Sequence, residues 1–196
     1  MLHLSFNPSV FTLLFLLVYS NLSLADTFKP GAFSGLYNRK DWPHWIDIDG
    51  DCQNTRAEVL IMQSMGRVTF TNNKRCSVKS GAWLDPYSGF SYSQASDLDI
   101  DHVVPLSWAN GHGGSVWSQY QKRRFANDTA NLIAVNRKLN RIKGDKGPDE
   151  WMPPRHEYRC EYLARFTAVV SRYRLAYAPS EKRVIDRMKK ACRIDA

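Results

Sequence analysis

Between Asp97 and Lys146 the chain gathers residue types that can do chemistry at a phosphate. Asp99-Ile-Asp101-His102-Val-Val-Pro105 alternates like a strand and stops at the proline. Asn131-Leu-Ile-Ala-Val opens a second short apolar strand, and Asn136-Arg-Lys-Leu-Asn140-Arg141-Ile-Lys143 reads as a basic helix closed by Gly144. A strand carboxylate and a helical amide converging in this way can hold one hard cation. Mg²⁺ prefers oxygen ligands and keeps several waters, so Asp101, Asn140 and a phosphate suffice. His102 beside them could take a proton from an attacking water, because imidazole titrates near neutral pH. The cation would stabilise charge developing on the phosphate and the leaving oxygen. One geometric difficulty is visible at once. Neighbours on a regular strand point to opposite faces, so Asp101 and His102 share a site only if the strand twists or breaks near Pro105, or if the metal sits at its end.

The elements that must position these residues are short. Asn54 or Thr55 can cap a helix running through Arg56 to Ser64, Val68–Thr71 is strand-like, and Asn72-Asn73 signals a turn. Residues 107–118 are Gly-rich and read as a loop. Leu163, Phe166, Val169, Val170 and Tyr173 keep helical spacing, and Pro179-Ser180 ends that helix and caps a last one through Cys192. No repeat, low-complexity tract or long linker divides the chain, so one α+β domain is expected. The 196 residues carry 27 Lys+Arg against 19 Asp+Glu, a net +8, with 43% apolar residues. That composition excludes a coiled coil, a polytopic membrane protein and a disordered tail. The positive excess lies in residues 119–146 and 155–196, whereas 41–101 is net acidic. A polyanionic partner follows from the charge, but no reaction does.

Residues 1–25 contain no Lys, Arg, Asp or Glu. An apolar run from Val10 to Tyr19, followed by Ser23-Leu24-Ala25, reads as a signal peptide cleaved before Asp26. The run is too short for a membrane span, which needs about 20 residues. The mature chain would then be 26–196, a single domain without a membrane segment. In an oxidising compartment Cys52, Cys76, Cys160 and Cys192 allow three pairings, of which the sequential one, Cys52–Cys76 and Cys160–Cys192, is expected. Asp47-x-Asp49-Gly-Asp51 reads as a turn in preference to a calcium loop, and His112 in Gly111-His-Gly-Gly as a flexible exposed histidine. Lys122-Arg123-Arg124 is equally a solvated face or a nucleic-acid contact. Asn127-Asp128-Thr129 is formally a glycosylation sequon.

The ordered set Asp101-His102-Val-Val-Pro105, Asn131-Leu and Asn140-x-x-Lys143-Gly-Asp closely resembles the HNH endonucleases of the ββα-metal (His-Me finger) class. The resemblance continues in Trp45-x-Asp47-x-Asp49-Gly-Asp51-Cys52, Thr55-Arg56-x-Glu58, Gly81-x-Trp83-x-Asp85-Pro-Tyr87-x-Gly89, Asp149-Glu-Trp151 and Tyr158-x-Cys160-x-Tyr162, which look like the secreted bacterial HNH nucleases. It spans roughly residues 40–192. It implies an α+β fold with a ββα-metal core at 97–146, flanking helices and disulfide staples. It also implies a monomeric enzyme that hydrolyses phosphodiester bonds of DNA or RNA with little sequence preference, outside the cell or in a periplasm. By the same resemblance Asp101 and Asn140 would be the protein ligands of one divalent cation, Mg²⁺ or Mn²⁺. His102 would be the general base, and Asn131 would orient the loop or the base. Lys143, Arg141 and Arg137 would meet phosphate; Arg56 joins them as a family-pattern residue without a derived role. The residues alone leave open a non-catalytic nucleic-acid-binding protein on this fold, or a hydrolase of another phosphodiester or a wall polymer.

Overall fold

A computed structural model describes residues 37–194, so the expected signal segment lies outside the described residues. The first helix, α1 (Thr55–Gln63), is capped by Asn54, whose side chain accepts the Ala57 N–H. The acids before it form a turn: Asp47 accepts from the Gly50 and Cys52 amides, Asp49 from Asp51 and Asp51 from Gln53. Strands β1 (Thr69–Phe70), β2 (Val78–Leu84) and β3 (Ser91–Gln94) form an antiparallel sheet in the order β1-β2-β3. The β2–β3 hairpin turns on Asp85, whose carboxylate accepts the Tyr87 and Ser88 amides and leaves Tyr87 wholly buried. Gly81 is required inside β2. A Cβ there would lie 2.6 Å from the Trp83 ring.

The second sheet pairs β4 (Leu98–His102) with β5 (Leu132–Asn136), antiparallel, with Asp101 opposite Ile133 and His102 opposite Leu132. Between these strands the chain forms α2 (Leu106–Gly111) and α3 (Gln119–Ala126). The loop expected at 107–118 is therefore corrected over 107–111, which belong to α2, while the rest holds only a short 3₁₀ turn at Gly114–Val116. Three glycines cluster at 111–114, but Leu106, Trp108 and Ala109 are buried and that burial draws the segment into a helical turn. Ser118 and Gln121 then close a capping box on α3. After β5 comes α4 (Arg137–Lys143), capped by Asn136 and ended by Gly144, whose φ of +58° is a conformation glycine adopts freely. Helices α5 (Arg159–Arg172) and α6 (Pro179–Cys192) finish the chain. The first of them stops at Arg172, earlier than its apolar spacing and Pro179 suggested, because Arg174 takes a left-handed φ of 52°.

The β4–β5 sheet separates two cores. Leu98, Ile100, Leu132 and Ala134 meet Val59 and Leu60 of α1 and Trp83 of β2. Ile133 and Val135, on the other face, meet the aromatic core of Trp42, Trp108, Phe125, Tyr162 and Phe166. The cysteines pair as expected, Cys52 with Cys76 and Cys160 with Cys192. The second bond joins the start of α5 to the end of α6. Closing loops of this length contributes about 3–4 kcal/mol each in a chain-entropy account.

His112 is not a flexible exposed residue. Its ring stacks on Trp108, Nδ1 faces the Trp108 carbonyl at 2.6 Å, and Nε2 meets Glu181 of α6 at 2.9 Å. Asn127 of the sequon is likewise enclosed, donating to the carbonyls of Pro43 and Arg123 and accepting from Thr55. A glycan on that amide would replace one of the two donated hydrogens and break at least one of these bonds.

Candidate active site

Strand alternation places Asp99 and Asp101 on the face of β4 that α4 covers. Three residues of α4, three apart, meet them. Arg137 Nε lies 3.4 Å from Asp99, Asn140 Nδ2 donates to Asp99 Oδ2 at 3.3 Å, and Lys143 Nζ lies 3.0 Å from Asp101 Oδ1. Lys143 is 0% exposed and also donates to the His102 carbonyl at 2.8 Å. From the hairpin, the Tyr87 hydroxyl donates to Asp101 Oδ2 at 2.6 Å. Burial pushes the Asp101 carboxyl up and the Lys143 ammonium down, and each partner opposes the shift in the other.

His102 faces the opposite side of the strand. Its Nε2 lies 2.8 Å from the Ala126 carbonyl at the end of α3. A carbonyl only accepts, so Nε2 carries the proton and Nδ1 keeps a free lone pair. The ring lies against Trp45, 5.7 Å between centroids with the planes inclined at 29°. Burial lowers its pKa to about 3, while the Ala126 carbonyl works the other way. The ring is therefore neutral, the form that can accept a proton. Beyond the strand end, Asn131 holds the backbone that turns toward Pro105. Its side chain accepts the Val104 N–H at 2.8 Å and donates to the Val104 carbonyl at 3.1 Å.

Despite this divergence, a cleft of about 290 Å³ at the strand end is lined by Asp101, His102, Asn140, Arg141, Arg39 and Tyr37. The fold thus brings together the acid, the imidazole and the helical amide that the spacing singled out. Their donor chemistry fits a hard divalent cation. Asp101 supplies a carboxylate, and Asn140 Oδ1 has no partner among the described residues while its Nδ2 is held by Asp99.

Two sequence-based assignments change. Lys143 was expected to meet phosphate, but it has no exposed surface and serves as the buried counter-charge of Asp101. Arg56 donates to the carbonyls of Ala95 and Leu98 at 3.1 and 3.0 Å and so ties α1 to the start of β4. Of the remaining arginines, Arg141 lines the cleft and Arg137 is shared between Asp99 and the Ser96 carbonyl. Residues not anticipated are Tyr87, Asp99 and Trp45. Only Asp99 carried a signal in its spacing, since residues i and i+2 share a strand face.

The sequence matches the family described as "GmrSD restriction endonucleases, C-terminal domain" over residues 56–185. An "Uncharacterized secreted protein" of Arthroderma benhamiae (strain ATCC MYA-4681 / CBS 112371) is 42% identical over 171 residues, covering 85% of this chain and 80% of that protein. That relative is fungal, so the likeness to secreted bacterial nucleases assigns no bacterial source. No solved structure matches.

Proposed function

The chain belongs to the family of GmrSD restriction endonucleases, C-terminal domain, and from that premise we propose that it is an exported, metal-dependent HNH endonuclease hydrolysing phosphodiester bonds of DNA or RNA with little sequence preference. The observation that carries the reading is the tautomer at His102: its proton is committed to the Ala126 carbonyl, which leaves Nδ1 as a base beside a cleft also lined by Asp101 and Asn140. Export rests on the uncharged, apolar N-terminus, the two disulfides and the secreted description of the fungal relative. On this reading residues 1–25 are the signal peptide, and 26–196 form one nuclease domain, with β4, β5 and α4 as its ββα core.

Asp101 and Asn140 would hold the cation, Mg²⁺ or Mn²⁺. When bound, it supplies stabilisation of the charge that develops on the phosphate and the leaving oxygen. The rest is the work of the chain. Tyr87 and Lys143 fix the Asp101 carboxylate from behind. Asn131 holds the Val103-Val104 turn and with it the end of β4. His102 Nδ1 takes a proton from water as the water oxygen bonds to phosphorus; the bond from phosphorus to the leaving oxygen breaks, and that oxygen takes a proton from solvent. Arg141 at the cleft, and Arg137 beside it, meet the flanking phosphates, contacts that position a strand without reading its sequence.

Purified, oxidised chain 26–196 should nick supercoiled plasmid with Mg²⁺ or Mn²⁺, degrade single-stranded DNA and RNA, and stop in EDTA. No cleavage of any of the three with either metal would overturn the proposal.

A further inference from the structure

A second basic surface adjoins, along the chain, Trp45 and Ala126, the two groups that hold the His102 ring. Two adjoining hollows, of about 500 and 340 Å³, share Tyr120, Arg124, Arg172 and Tyr173 as walls. One begins at Ile46 and Asn127, the chain neighbours of Trp45 and Ala126, and the other ends at Arg174. Together they make a groove between α3 and the end of α5.

Three features separate this groove from an ordinary solvated face. Tyr120 is 73% exposed and Ile48 65% exposed, and both border the same hollow, so apolar side chains are presented to solvent there. Arg123, Arg124 and Arg174 have no acceptor in reach among the described residues. The acid in the groove, Asp128, is already engaged by Arg172 at 3.2 Å and the Tyr173 hydroxyl at 2.9 Å, so the remaining charge is positive. Exposed aromatic rings between uncommitted guanidinium groups are the chemistry that holds unpaired nucleotides, with bases stacking on the rings and phosphates pairing with the arginines.

We propose that this groove binds a single-stranded nucleic-acid segment, with a base stacked on Tyr120 and phosphates on Arg123, Arg124 and Arg174. The inference rests on the nucleic-acid reading above and sharpens it: the preferred substrate carries an unpaired stretch next to the bond that is cut. The chemistry is shared by single-stranded DNA and RNA. A duplex fits it poorly, because its bases are not free to stack.

The test is fluorescence anisotropy of chain 26–196 in EDTA, with labelled 20-mers of dT, of U, and a 20-base-pair duplex, over a salt series. Tyr120→Ala should weaken binding of the single strands about tenfold, as loss of one stacked base implies, with the duplex changed less than twofold; Tyr120→Phe should restore it. Arg124→Ala with Arg174→Ala should lower the single-strand salt slope by about 1.4. A larger effect on U than on dT, or the reverse, identifies the natural strand. Single-strand affinity unchanged by Tyr120→Ala, or equal losses on duplex and single strand, would overturn the proposal. So would binding of phosphatidylserine vesicles that depends on these residues while the oligonucleotides do not. A chain that cuts nucleic acid but ignores Tyr120 refutes the groove alone. One that binds single strands through Tyr120 but cuts nothing refutes the nuclease reading alone.

Discussion

Asp101 and His102 are adjacent, both buried, and differently treated by the fold. Around Asp101 both carboxylate oxygens are engaged, by Lys143 across the sheet and by Tyr87 from the hairpin. Around His102 one ring nitrogen is engaged and the other has no partner among the described residues. A buried carboxylate gripped at both oxygens is held in place with acceptor capacity left for a cation, whereas a half-satisfied imidazole keeps the capacity to take a proton. The two sides of one strand thus divide the labour: one fixes a carboxylate with Lys143 and Tyr87, and the other orients a base with the Ala126 carbonyl and Trp45.

The division can be broken most severely at Lys143. Lys143→Met leaves the Asp101 charge buried without its counter-charge and should cost about 3–5 kcal/mol in urea unfolding. Adding Asp101→Leu together with Tyr87→Phe, which removes the hydroxyl that Asp101 accepts from, should return most of that stability while cleavage is lost, since a matched apolar set replaces a buried ion pair at little cost. A loss below about 1 kcal/mol in the single variant would mean that the pair is not what holds this side. Tyr87→Phe removes one hydrogen bond to a charged acceptor and should cost about 1.5–3 kcal/mol, read in the same assay. No loss would place the hydroxyl outside the network.

A smaller effect separates this gripped side from the rim. Glu181 is partly buried, which by itself raises its pKa, but His112 and the Ala178 amide more than offset this and hold it below the usual glutamate value. A carboxyl with a depressed folded pKa stabilises the fold above its unfolded pKa, about 4.3, and that stability fades as pH falls through the folded value. Glu181→Gln should therefore flatten the acid limb of the stability curve below about pH 4.3, costing about 1 kcal/mol at pH 7. An acid limb identical to that of the parent would exclude the pair from the acid response.

Much of this was legible in the chain. The alternation through Ile100, the stop at Pro105, the Asn136 cap and the Gly144 ending were local signals, and β4, β5 and α4 followed them. Asp101, His102 and Asn140 were named because their types suit a cation and a base, and the fold places all three on one cleft. What escaped was decided at long range. Lysine in a basic helix reads as surface, and only an acid 42 residues earlier makes Lys143 an interior residue. Tyr87 has no local reason to meet Asp101; the Asp85 turn aims it there. Glycines at 111–114 suggested a loop because the helix before them is held by burial of Trp108 and its neighbours, which propensity does not count.

The division of labour is tested most directly by plasmid cleavage with His102→Ala beside the parent, at saturating Mg²⁺ and matched nucleic-acid binding. Loss of a positioned general base predicts a rate lowered about 10²–10⁴-fold, with oligonucleotide affinity and its salt dependence retained. A variant that cleaves at the parental rate would contradict the assignment of His102 as the base, and with it the contrast between the two sides of the strand.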